Sequence, residues 1–229
     1  MLQNAIELNN TGVGLITSGD YTRAIVSLSN ALKIMKQCYS MAIEDVQDDC
    51  LAQHRRVASL DMYIAHTSFE CSLSPEDENE HYMHREAICI PPSFLLDSSQ
   101  QKQDVPALLL TAVILFNLAL LHQLSAQDGE NRQAKLMKAA QLYTLVNELQ
   151  FGNRFENNVW FAMATVNNLG LVHAQLQDAT NANRCFESLL AMLMFSTEGA
   201  QKRRKDFDGF LRNLSSFISA SSSIGAPAA

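Results

Sequence analysis

Three asparagines each stand two residues ahead of a small residue: Asn10 before Gly12, Asn117 before Ala119, and Asn168 before Gly170. An asparagine amide offers a donor and an acceptor together, which suits it to holding the backbone of an extended peptide. That chemistry is recognition rather than bond making. Other reactive side chains form no catalytic set. His122 and His173 fall at matching places downstream of Asn117 and Asn168, and neither has an evident nucleophile or acid partner. His81 and His84 lie near Cys71 and Cys89, which are metal-ligand residue types, but the spacing is irregular and the surroundings are acidic. They read as solvated loop histidines, and neither a metal nor another cofactor is expected. A Gly-rich phosphate loop, GxSxG and HExxH are all missing from the sequence, so the expected protein is not an enzyme.

Composition limits the partners. The chain has 229 residues, 47% apolar and 18% charged, enough to build a core and too apolar for a disordered protein. A net charge of −7 and a pI near 5.3 disfavour nucleic acid or an anionic membrane as partner, since both need a basic face. Five cysteines, an odd number without CxxC spacing, read as free thiols of a reducing compartment. The first ten residues, MLQNAIELNN, lack a basic region followed by an apolar one, so a cytoplasmic protein is expected. KRRK at 202–205 could serve nuclear import, but it reads more simply as the solvated start of a helix. Residues 105–121, VPALLLTAVILFNLALL, approach a membrane-span pattern. They are slightly short and lack flanking Lys or Arg clusters, so they read as a central core helix.

The elements that must position the asparagines are helices in pairs. NNTGVGLITSGDYTRAIVSLSNAL at 9–32 is echoed by NNLGLVHAQLQDATNANRCFESLL at 167–190, with Gly12, Ala24 and Leu28 matching Gly170, Ala182 and Phe186. Repeat pairs are expected over 4–56, 105–150 and 157–195, with turns at SGDY, at SAQDGENRQ and around Gln177. Asp20 is a suitable N-cap, and Gly152 a helix stop. A final amphipathic helix at 203–218 would put Phe207, Phe210, Leu211, Leu214, Phe217 and Ile218 on one face and cap the stack. Residues 57–104 read as an insertion, a loop or a short hairpin pairing 62–66 with 87–91. Residues 219–229 read as a disordered tail.

These features resemble the tetratricopeptide repeat (TPR) family through Leu8, Gly12, Leu15, Gly19, Tyr21, Ala24, Leu28 and Ala31. A second match runs through Leu169, Gly170, Ala182 and Phe186. Gln177 and Ala179 replace the Gly and Tyr usual in that family's turn, and the Pro usual at the end of each unit is missing. The middle pair fits through Ala119, Ala139 and Tyr143, with about eight extra residues in its turn. The order of elements also resembles diatom-type repeat proteins to which no function is attached.

The resemblance implies an all-α, right-handed helical-repeat solenoid of about three pairs plus the capping helix, one domain over residues 1–218. It also implies that Asn10, Asn117 and Asn168 face a concave groove as a ladder, similar to that in the repeat domain of O-linked N-acetylglucosamine transferase. Asn9, Val13, Phe116, Leu120, Asn167 and Leu171 would line the rest. Because these positions carry no Lys or Arg, a chaperone-tail clamp is not expected. The expected function is a protein–protein interaction adaptor binding an extended peptide of a partner protein. The alternative is a structural subunit that assembles through apolar surfaces with itself or a larger complex.

Overall fold

In a computed structural model, residues 1–45, 81–91, 104–127, 131–152, 159–195 and 204–223 are described. Among these, the regular structure is all helical. The elements are α1 (Leu2–Thr17), α2 (Tyr21–Asp45), α3 (Asp104–Ser125), α4 (Arg132–Gly152), α5 (Val159–Gln175), α6 (Ala179–Phe195) and α7 (Arg204–Ser223). Most bounds fall close to those read from apolar spacing, but residues 46–56 of the expected first pair lie outside the described residues, and α7 runs through residues 219–223, which were expected to belong to a disordered tail. The contacts gather into two compact units. The first holds α1 to α4 and residues 86–91; the second holds residues 81–85 and α5 to α7.

In the first unit, α1 packs on α2, α3 on α4, and α2 on α3. Gly12 sets the first of these contacts: a Cβ built there would stand 2.6 Å from Leu28 Cγ, and Leu28 is fully buried. Only glycine allows α1 and α2 so close. Helix α3 is buried over most of its length. Its stretch Ala107–Ser125 is long and apolar enough to cross a membrane, and its apolar side chains sit among the other helices of this unit. Phe116 meets Tyr143 of α4 edge-on, with ring centroids 5.5 Å apart, and Tyr143 donates to Gln123 Oε1 at 3.0 Å.

The second unit repeats the first hairpin's local geometry. Gly170 of α5 lies against Cys185 and Phe186 of α6, and a Cβ there would come within 3.1 Å of both. The turns match atom for atom. Gly19 takes φ 78° with the Asp20 N–H donating to Leu15 O at 2.9 Å; Gln177 takes φ 61° with the Asp178 N–H donating to His173 O at 2.9 Å. Each Asp then caps the next helix, Asp20 Oδ1 accepting from the Arg23 N–H and Asp178 Oδ1 from the Asn181 N–H, both at 3.2 Å. So Gln177 fills a left-handed position that glycine fills in the first copy.

Three expectations are corrected. Residues 87–91 form no strand, because their backbone partners are side chains rather than another strand; the other half of the expected hairpin, 62–66, lies outside the described residues. On α7, Phe210 and Leu214 are buried and Phe217 packs on Phe186, but Leu211 and Ile218 are exposed. The buried face of α7 instead carries Asp206 and Asn213. Finally, His84 is no solvated loop residue: it is fully buried, while His81 is exposed.

Candidate peptide-binding site

Residues 82–91 are neither helix nor strand, and where a chain is extended the N–H and C=O of alternate residues face the same side. Buried backbone groups must find partners. Here asparagine amides supply them, two bonds to one residue at a time.

In the first unit, Asn10 of α1 holds Ile90: its Nδ2 donates to Ile90 O at 2.7 Å, and its Oδ1 accepts the Ile90 N–H at 2.9 Å. Asn117 of α3 holds Ile88 in the same way, at 2.9 and 2.8 Å. Asn9 joins the two clamps. Its Nδ2 donates to Ile88 O at 3.0 Å and to Asn10 Oδ1 at 3.2 Å, and its Oδ1 accepts from Asn117 Nδ2 at 2.9 Å.

The second unit repeats this network. Asn168 of α5 holds His84, donating to its C=O at 2.8 Å and accepting its N–H at 2.9 Å. Asn213 of α7 holds Tyr82, with both bonds at 2.7 Å. Asn167 plays the part of Asn9: its Nδ2 donates to Tyr82 O at 3.1 Å and to Asn168 Oδ1 at 3.2 Å, and its Oδ1 accepts from Asn213 Nδ2 at 2.6 Å. Each unit is therefore a three-asparagine clamp on residues i and i+2 of an extended chain. The paired asparagines of both sequence copies have one explanation: the second of each pair clamps, and the first links that clamp to its neighbour.

Of the positions singled out from sequence, Asn9, Asn10, Asn117, Asn167 and Asn168 all contact strand backbone. Val13, Phe116, Leu120 and Leu171 are buried in the apolar core, with Phe116 turned to Tyr143 of the neighbouring helix. Asn213 was missed, although Asn213-Leu214-Ser215 repeats the pattern of an asparagine two residues before a small one. The sequence reading places residues 82–91 within an insertion and pairs 87–91 with 62–66, whereas their backbone partners are asparagines.

The second unit touches side chains as well as backbone. Asp206 accepts from the Tyr82 hydroxyl, from Trp160 Nε1 at 3.0 Å, and stands 3.3 Å from His84 Nδ1. Burial of the Asp206 carboxyl opposes its ionisation, but the hydrogen bond and charge of His84 and the bonds from Tyr82 and Trp160 outweigh it and hold the pKa down at about 2. The Tyr82 ring lies against Gly209, where any Cβ would collide with it, and meets Phe210 edge-on at 5.6 Å. The His84 ring meets Trp160 edge-on at 4.9 Å.

No group of three His, Cys, Asp or Glu among the described residues could hold a metal ion. His122, on α3, has its pKa lowered by burial and by the charges of Lys138 and Lys135. The KRRK side chains lie outside the described residues. No family model matches the chain, and neither a curated protein nor a solved structure is significantly similar to it.

Proposed function

We propose that this chain is a non-enzymatic, TPR-like interaction module that binds an extended peptide through its backbone in a helical-repeat groove. One observation carries the reading: the three-asparagine clamp is built twice, each copy gripping alternate residues of an extended strand. Residues 82–90 supply the occupant in cis and serve as a template for a partner peptide. The neutral amides select an extended backbone and leave sequence preference to the flanking side chains. In this reading no cofactor takes part, and the protein works in the cytoplasm.

A labelled peptide of residues 81–91 tests this reading when titrated into the full chain carrying Ile88→Pro and Ile90→Pro. Proline removes the N–H groups that Asn117 and Asn10 accept, so it weakens the cis strand without touching the clamps. Saturable binding that falls at least several-fold with Asn117→Ala is the expected result. An absence of binding in a folded protein makes the strand a fixed structural element.

That second outcome favours the structural-subunit reading. It draws support from Met194 and Phe195 at the end of α6, which are 73% and 88% exposed. Light scattering over a concentration series would then find self-association that Phe195→Ser abolishes.

A further inference from the structure

We propose that α5 and α7 form a side-chain-selective recognition site for an extended Tyr-X-His peptide, with Asp206 as the group that reads both side chains. The inference rests on the peptide-binding reading and adds the class of ligand. In cis the site is filled by Tyr82 and His84; in trans its ligand is a partner segment with the same two residues in an extended conformation.

The asparagines bind only groups that every residue except proline possesses, so they cannot discriminate one sequence from another. Discrimination in the second unit falls to the surfaces around the two clamped residues. Three features define it. First, Gly209 leaves a bare stretch of helix against which the Tyr82 ring lies, with Phe210 edge-on beside it. A flat aromatic ring fills that space, and a branched aliphatic chain would lose the edge contact. Second, Asp206 accepts the phenolic hydroxyl, so phenylalanine would leave a buried carboxylate short of a donor. Third, the same carboxylate faces His84 Nδ1 while Trp160 lies in a T-shaped contact with the imidazole ring. Trp160 Nε1 also donates to Asp206, which fixes where the carboxylate points.

A carboxylate held by a tryptophan, a tyrosine and a histidine is more than backbone packing requires. Among the described residues, the first unit holds Ile88 and Ile90 by the same asparagine arrangement, through amide groups alone. Selectivity for a Tyr-X-His pair thus belongs to the second unit. It is built from α5, which supplies Trp160, and α7, which supplies Asp206, Gly209 and Phe210.

The experiment uses the full chain with Tyr82→Ala and His84→Ala, which vacates the cis site, and circular dichroism checks its helicity. Fluorescence anisotropy then compares a labelled peptide of residues 80–87, EHYMHREA, with versions carrying Tyr82→Phe or His84→Ala. The expected result is saturable binding of the parent peptide and about ten-fold or greater loss for each altered one, the scale of a lost bond to a charged group. Equal binding of all three peptides overturns the selectivity and leaves the backbone-binding reading standing. No binding of any peptide overturns both. Should the vacated chain not fold, the cycle of Tyr82→Phe and Asp206→Asn in the otherwise unaltered chain decides. Hydrogen exchange at the His84 amide should reveal coupling between the two substitutions, whereas strictly additive effects overturn the assignment of Asp206 as reader.

Discussion

Asn117 spends both amide hydrogens and its oxygen on two partners: it clamps Ile88 front and back, and it donates to Asn9 Oδ1. One side chain therefore fixes a strand residue and the linking asparagine of another helix. Asn117→Ala should cost about 1–3 kcal/mol, because the buried Ile88 N–H loses its acceptor. Urea unfolding measures that loss. Cys89 gives an independent readout, since burial raises its thiol pKa and keeps it slow to alkylate. Alkylation of Cys89 should accelerate in Asn117→Ala, and an unchanged rate would mean that the strand stays bound without the clamp.

Gly12 and Gly14 sit two residues apart on α1 and should respond oppositely to alanine. A Cβ at Gly12 would strike buried Leu28, so Gly12→Ala should destabilise by roughly 1–3 kcal/mol. At Gly14 nothing lies within 4 Å, and alanine should stabilise the helix by roughly 0.5–1 kcal/mol. Thermal melts of the two variants should move in opposite directions.

Gln177 holds the left-handed turn position that glycine holds at Gly19. Gln177→Gly should raise stability by up to about 1 kcal/mol by relieving the contact between Cβ and backbone. Gly19→Gln should lower it by a similar amount. Guanidinium midpoints would check both signs.

The depressed pKa of Asp206 gives stability that is fully present above the ordinary carboxylate pKa and is lost as pH falls through the folded value of about 2. The shift from 3.8 corresponds to about 2 kcal/mol. The stability gap between the wild type and Asp206→Asn should therefore close progressively as pH falls from about 5 toward 2. Urea titrations across that range measure it. A gap that persists undiminished at pH 2 would show that the carboxylate's charge contributes nothing.

Much of this protein was legible in the sequence because its helices advertise themselves locally. Apolar spacing of three and four placed the bounds of α3, α5 and α6 within a few residues, and α6 fell on the expected residues 179–195. Gly12 and Gly170 stood out because close helix contacts demand a residue without Cβ, and the paired asparagines stood out by type and recurrence. Tertiary structure alone decided what those asparagines hold. Residues 82–91 carry no period of their own; their conformation is fixed by partners 29 to 131 residues away, too remote for any local pattern to encode. The same distance effect hid Asn213, read as part of an apolar cap, and turned His84 from an apparent loop residue into a buried neighbour of Asp206, 122 residues along the chain. It also left Leu211 and Ile218 in solvent, because the face of α7 that is buried was chosen by the strand's polar groups as much as by its own apolar stripe.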